Sequence, residues 1–260
     1  MKYWEKRIQE AQERASNKSI KATQAQFKKY YSSAMTKTLD EFEKVYNKIL
    51  LNIEEGKEPT PADLYKLDKY WQTQAQLRRE LEKLGDKQIS MMSKVFETLF
   101  FEVYYSIDIP NVEEPTFNTI DKAMVAQMVN SIWVADGKTW SDRVWDNTKR
   151  LQQTLNENLI HCLVTGKKTT ELKQLLQERF DISYRRAETL VRTEVAHIQT
   201  EAAKQRYKDY GIKYVEVLVD PDEHTCEKCE ALMGKKFPVN GMMPLPVHPN
   251  ERCCLIPVVD

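Results

Sequence analysis

Two clusters of cysteine and histidine near the C-terminus constrain the fold of this 260-residue chain most strongly. The first holds Cys226 and Cys229, and the second holds His248, Cys253 and Cys254; with Cys253 as the last member, the spacing is C-x2-C-x18-H-x4-C. Thiolates and imidazole are ligands that zinc prefers, and four protein ligands leave no open coordination position. The spacing therefore predicts a structural zinc site made by Cys226, Cys229, His248 and Cys253.

Two further residues near these clusters are alternative candidates. Cys254 could replace Cys253, but neighbours on an extended segment point to opposite sides, so we expect only one of them to bind. His224 lies two residues before Cys226, and we interpret it as a solvated histidine in a turn rather than as a ligand or a base.

The overall composition limits the partners that we expect. Lys plus Arg equals Asp plus Glu at 39 each, so the net charge of zero argues against an evenly basic nucleic-acid coat. No apolar run approaches the roughly 18 residues that a membrane span needs, and the start of the chain is too polar for a signal peptide. In a reducing cytosol, paired C-x-x-C clusters favour metal binding over disulfides.

The rest of the chain has the pattern of long helices. Apolar residues recur every three or four positions from Phe27 to Ile49, which predicts a helix over residues 20–51 that ends near Gly56. A capping sequence at Thr60 predicts the next helix start. Glycines 85, 166 and 211 are predicted helix stops. The predicted later helices cover residues 61–84, 87–105, 118–131, 141–164, a segment from Thr169 or Thr170 to Phe180, and 183–210.

The pattern changes after residue 211. Tyr214–Val219 is rich in β-branched residues and predicts a strand, and short extended pieces are predicted at 237–239 and 255–259. The predicted fold is therefore mainly α, with long helices followed by a small C-terminal zinc-binding α/β module of the β-knuckle type. We divide it into residues 1–110, 116–210 and 211–260.

Catalytic patterns are weak in this chain. A zinc deaminase needs H-x-E before a P-C-x-x-C segment, but Thr225 precedes Cys226, and neither His161 nor His197 has a glutamate two residues on. The segment Arg192-Thr193-Glu194 is either an ordinary ion pair on a helix or a tie to the zinc module through charge-assisted hydrogen bonds. We therefore expect no enzyme activity.

Several motifs, taken in order, resemble the minor head or head morphogenesis proteins of tailed phages, the group that includes the F protein of phage Mu. The resemblance covers residues 118–260. It rests on these segments: Trp133–Trp145, Gly166–Leu176, Arg192-Thr193-Glu194, Thr225–Cys229, Pro246–Pro249 and Arg252-Cys253. The family often has His-Pro-x-Cys-Arg-Cys, and Glu251 stands here in place of the first of those cysteines. The retained Arg-Cys pair favours Cys253 as the fourth ligand.

The resemblance implies a virion protein of the capsid interior and portal vertex, present in the host cytoplasm during assembly. It implies the phage portal protein as a partner, with scaffold or major capsid protein and non-specific double-stranded DNA as further candidates, and a role in procapsid assembly and in DNA packaging or ejection. Some relatives carry an appended toxin domain, which we do not expect here because the chain ends after the zinc module.

Residues 1–110 lie outside these motifs. We expect the apolar stripe from Phe27 to Ile49 to be exposed and to contact the portal or scaffold protein. Two alternatives to a head protein remain: a zinc-stabilised DNA-binding protein and a zinc-dependent hydrolase or toxin.

Overall fold

The computed structural model describes residues 3–52, 60–115, 119–219, 225–241 and 245–259. Seven helices and three short strands lie in these ranges. In chain order they are α1 Tyr3–Asn52, α2 Pro61–Tyr65, α3 Asp68–Ser106, α4 Lys122–Val129, α5 Trp140–Val164, α6 Thr169–Asp209, β1 Tyr214–Leu218, α7 Glu227–Glu230, β2 Lys236–Pro238 and β3 Cys254–Pro257. The mainly helical fold with a small C-terminal sheet is confirmed. None of the helices in these ranges is long and apolar enough to cross a membrane.

Two predicted helix breaks are wrong. Helix α3 continues through Gly85, because this glycine makes room for a neighbouring ring: a Cβ there would lie 2.6 Å from Cζ3 of Trp145. Helix α6 likewise runs through the predicted break at residues 180–183. The predicted start at Thr60 is confirmed, since its side chain and that of Asp63 form a capping box. The predicted end of the first helix near Gly56 lies outside the described residues.

Helix α1 begins well before the predicted start at residue 20. Before residue 20 it buries many polar side chains, including Gln12, Ser16 and Ser19, among few large apolar ones. Hydrophobic periodicity therefore does not reveal this part of the helix.

The expectation that the stripe from Phe27 to Ile49 is an exposed docking surface is wrong. Phe27 and Phe42 have no exposed surface, and Tyr46 and Ile49 are each 2% exposed. An apolar stripe on a long helix identifies a face that is buried, but does not indicate whether the same chain or a partner covers it. Here the stripe belongs to the core of its own chain.

The chain forms two compact units, each made from separate segments. Unit 1 comprises residues 1–24, 91–140 and 189–260, and unit 2 comprises residues 25–90 and 141–188. Both units combine segments from before and after residue 110. This division therefore differs from the three regions predicted from the sequence, which remain a prediction.

Unit 2 has a buried polar cluster centred on Tyr31. The Tyr31 hydroxyl lies 3.3 Å from both Oε1 of Gln88 and the carbonyl oxygen of Ser183, and it accepts a hydrogen bond from Nδ2 of Asn147 at 3.2 Å. Burial raises the pKa of Tyr31 to about 12. The hydroxyl thus joins α1, α3, α5 and α6 within this unit.

Unit 1 contains the sheet, whose strand order is β2-β1-β3 with both pairs antiparallel. All four residues of β3 are buried. The backbone carbonyl of Leu255 in β3 accepts hydrogen bonds from the Tyr207 hydroxyl at 2.7 Å and from Nε2 of Gln12 at 3.0 Å. The last strand is therefore anchored both to β1 and to side chains of α1 and α6.

A second buried polar group in unit 1 is His197 on α6. Its ring stacks on Trp133, with centroids 4.4 Å apart, and its Nδ1 lies 3.4 Å from the carbonyl oxygen of Leu245. Its Nε2 has no hydrogen-bond partner among the described residues. Burial lowers the pKa of His197, outweighing the opposing effect of Glu201. The imidazole is therefore held in its neutral form.

We predict that Tyr31→Phe lowers the free energy of unfolding by about 1–3 kcal/mol, because buried partners lose a hydrogen bond that water cannot replace. Tyr65→Phe is the matched control, since Tyr65 is in the same unit but 46% exposed. Chemical denaturation of both variants checks this. Equal stability changes in the two variants would contradict the role given to the Tyr31 hydroxyl.

We also predict a pH effect from His197. Its pKa is lower in the folded state than the unfolded value of about 6.5, so the unfolded chain binds the extra proton and stability falls as pH drops below about 6.5. His197→Asn should flatten the stability curve between pH 7.5 and 5 by up to about 1.4 kcal/mol per pH unit. The exposed His161 provides the control variant, His161→Asn, which should keep the wild-type slope at the same zinc concentration.

Candidate metal centre

The first pair of candidate ligands is presented by the short helix α7. Cys226 lies at its N-cap with extended backbone, and the chain turns tightly enough for Glu230 N–H to donate to the Cys226 carbonyl at 3.0 Å. A hydrogen bond from the Cys229 backbone N–H lowers the pKa of the Cys226 thiol. The two-residue gap thus brings both sulfurs to one side of the turn.

His248 closes the first group of donors. Its Nε2 lies 3.2 Å from Sγ of Cys226 and 3.0 Å from Sγ of Cys229. Its Nδ1 lies 2.9 Å from the Pro249 carbonyl oxygen, which accepts a hydrogen bond only if Nδ1 carries the proton. That tautomer leaves the Nε2 lone pair facing the sulfurs, as a metal ligand requires.

The second group of donors comprises Cys229, Glu251 and Cys253, each of them about 5% exposed. Within each group the ligand atoms lie within 4.8 Å of one another, and Cys229 belongs to both. Asn250, just before Glu251, has a φ of 62°, a left-handed conformation that asparagine tolerates. This turn directs residues 249–253, the C-terminal arm between His248 and β3, back towards α7.

The electrostatics of the second group would couple metal binding to the release of thiol protons. Burial, with a smaller contribution from Glu251, raises the pKa of the Cys253 thiol far above its usual range, and burial raises that of Cys229 to about 11. Both thiols therefore hold their protons at neutral pH unless a positive charge replaces them. A divalent ion would supply that charge, because it binds the thiolate form.

The spacing of the donors fits a zinc-sized ion. With bonds of about 2.0 Å to nitrogen and about 2.3 Å to sulfur, tetrahedral geometry separates those ligand atoms by about 3.5 Å. The His248 to cysteine distances of 3.0 and 3.2 Å are within about 0.5 Å of this value. The donors of both groups also line a single cavity of about 260 Å³. The described residues thus form a cluster close enough to hold a metal ion.

The other candidates lie elsewhere. Cys254 is in β3, paired with Leu218 of β1, and belongs to neither donor group of the described residues. His224 lies outside the described residues. The identity of the fourth ligand remains a prediction, with Cys253 the favoured residue. Glu251 is the donor that sequence reasoning missed; its position between His248 and Cys253 was the available signal.

The Arg192-Thr193-Glu194 segment contacts Asn250, beside the candidate metal centre, through its middle residue. The backbone N–H of Asn250 donates to the Thr193 hydroxyl at 3.3 Å, so this tie is a neutral hydrogen bond. The Glu194 carboxylate instead accepts a charge-assisted bond from Nε1 of Trp133 at 3.0 Å. The motif therefore joins both the loop before α5 and the arm after His248 to α6.

Comparisons with known proteins agree with the resemblance seen in the sequence. Residues 153–256 match the family described as "Phage Mu protein F like protein". The segment around Trp133 that contributed to the resemblance lies before the matched residues.

One curated relative is the "NAD(+)--arginine ADP-ribosyltransferase EFV" of Enterococcus faecalis (strain ATCC 700802 / V583), 25% identical over 186 residues. That alignment covers 65% of this chain and 38% of the relative. No solved structure matches the chain. The match covers α6, β1, β2 and the candidate metal centre, and residues 153–256 of the chain are therefore similar to the phage Mu protein F-like family.

Proposed function

We propose that this protein is a phage head morphogenesis protein, a minor component of the virion that acts at the portal vertex in procapsid assembly and in DNA packaging or ejection. The observation that carries the proposal is the family match over residues 153–256. The portal protein is the proposed main partner, and scaffold protein, major capsid protein and non-specific DNA are further candidates. With the apolar stripe of α1 buried, the partner contact must use other surfaces.

We further propose that the metal centre holds a structural zinc ion. Cys226, Cys229 and His248 supply three ligands, and Cys253 supplies the fourth, as predicted from the sequence. Four protein ligands leave no position for a reactive water, so the ion would connect α7 to the C-terminal arm and would not act on a substrate. This supports a non-enzymatic function.

The name of the Enterococcus faecalis relative raises one competing function, transfer of ADP-ribose from NAD⁺ to arginine. The shared segment is less than two fifths of that protein, so the comparison supports common ancestry of the segment more than a common reaction. Incubating the purified chain with labelled NAD⁺ and an arginine-containing acceptor distinguishes an ADP-ribosyltransferase from a non-enzymatic protein. Transfer of the label would contradict the non-enzymatic function.

Binding to DNA is the other competing function, and the balanced charge of 39 basic and 39 acidic residues weighs against it as the main role. Affinity that falls steeply with salt would indicate extensive phosphate contacts. We expect weak binding with little sequence preference.

We predict that mass spectrometry of purified virions and procapsids finds this protein at low, fixed stoichiometry relative to portal protein, because a minor head protein is built in during assembly. Cross-linking before digestion should join it to the portal protein. Its absence from both particles, with normal abundance in the infected cell, would contradict the proposed role.

We predict that the purified protein holds one zinc ion per chain and that Cys226→Ser and His248→Ala each lose it, since each removes one of four ligands. Cys162→Ala is a suitable control because Cys162 is a buried cysteine of unit 2, whereas both donor groups belong to unit 1. Elemental analysis after gel filtration measures the metal. Wild-type stoichiometry in both ligand variants would refute this ligand set.

A further inference from the structure

Glu251 is a buried acid with a free coordination position. The residue is 5% exposed, and its Oε2 accepts a hydrogen bond from the Val247 backbone N–H. Its Oε1 is also buried and has no N–H or O–H donor among the described residues, while the Cys253 thiol, whose pKa the carboxylate helps to raise, lies beside the carboxylate. A carboxylate left in this state is costly, because burial removes the water that would otherwise solvate it. The missing partner is a cation or a hydrogen-bond donor.

The surroundings of Glu251 point to a metal cation. Its carboxylate lies within 4.8 Å of the sulfurs of Cys229 and Cys253, and it lines the same cavity as the remaining candidate ligands. Both thiols become negative when they bind a metal, so a carboxylate beside them is repelled unless it also contacts the ion. In the form of the site in which Glu251 is the fourth ligand, coordination gives the free oxygen a partner and places the negative carboxylate against the cation.

We propose that Glu251 is a metal ligand, an oxygen donor that shares the fourth coordination position with Cys253. The proposal rests on the metal centre of the proposed function, in which Cys226, Cys229 and His248 are the common ligands. The fourth coordination position then has two candidate ligands, Glu251 and Cys253, which lie two residues apart in the sequence.

This arrangement has a consequence for the choice of metal. Thiolates favour soft ions, whereas carboxylates favour harder ones. A site with Cys253 as its fourth ligand suits Zn²⁺ and Cd²⁺, and a site with Glu251 as its fourth ligand suits Co²⁺ and Mn²⁺. Glu251 would thus broaden the range of ions that stabilise this end of the protein.

The test uses the full chain, loaded with zinc under reducing conditions, and four variants: Cys253→Ala, Glu251→Gln, the double variant and Glu230→Gln. Glu230 is an exposed acid on α7 and serves as the matched control. Zinc affinity is measured by competition with a chromophoric chelator, X-ray absorption counts the sulfur and light-atom ligands, and circular dichroism confirms that each variant folds.

We expect Cys253→Ala to keep one zinc ion, now with two sulfur and two nitrogen or oxygen ligands from the protein. Adding Glu251→Gln to that variant should weaken zinc binding by a further factor of about 10–100, the range seen when groups that support a metal are removed. Glu251→Gln alone should retain three sulfurs, and it should weaken Co²⁺ binding more than Cd²⁺ binding.

Two results would overturn the role of Glu251 while leaving the zinc site intact. One is complete loss of zinc in Cys253→Ala. The other is a double variant that binds zinc as well as Cys253→Ala combined with Glu230→Gln. A wild-type chain that binds no zinc would overturn the zinc site itself, and the role of Glu251 with it.

Discussion

The C-terminal part of this protein depends on one strand pairing. Strand β3 returns antiparallel to β1, so Leu255 lies opposite Val217 and Cys254 opposite Leu218. The Leu255 carbonyl is held at the same time by the side chains of Tyr207 and Gln12. Because β3 is fixed in this way, the arm just before it has only a short distance to cover. Glu251 and Cys253 therefore reach Cys229.

In the candidate metal centre, the burial of acidic side chains opposes their ionisation. Two thiols and a carboxylate are buried side by side, which raises the pKa of Cys229 and Cys253. Such a cluster destabilises the fold if its members ionise alone and stabilises it if they share a divalent ion. The ion would then join the α7 turn to the segment that leads into β3.

The sequence predicted best those features that depend on local chemistry. The C-x-x-C pair and His248 lie together as their spacing indicated, and the capping residues at Thr60 mark a helix start. The predicted breaks failed because a glycine or serine inside a helix is read as a stop unless the packing is known. Gly85 is needed for the close approach of Trp145, a contact between residues 60 positions apart that no local pattern encodes.

Two other features also depended on tertiary structure. The stripe of α1 is apolar whether a partner or its own chain covers it, and only the fold shows that the chain does so. In the sequence Glu251 was visible only as a departure from the family pattern, since its burial and its unpaired oxygen are features of the folded chain.

We infer that a metal ion joins the α7 turn to the arm that leads into β3. Hydrogen exchange of the zinc-loaded protein, measured before and after chelation, tests this inference. We expect chelation to speed amide exchange in residues 226–230 and 247–254 and to leave α5 unchanged. Identical exchange in both segments with and without metal would contradict it.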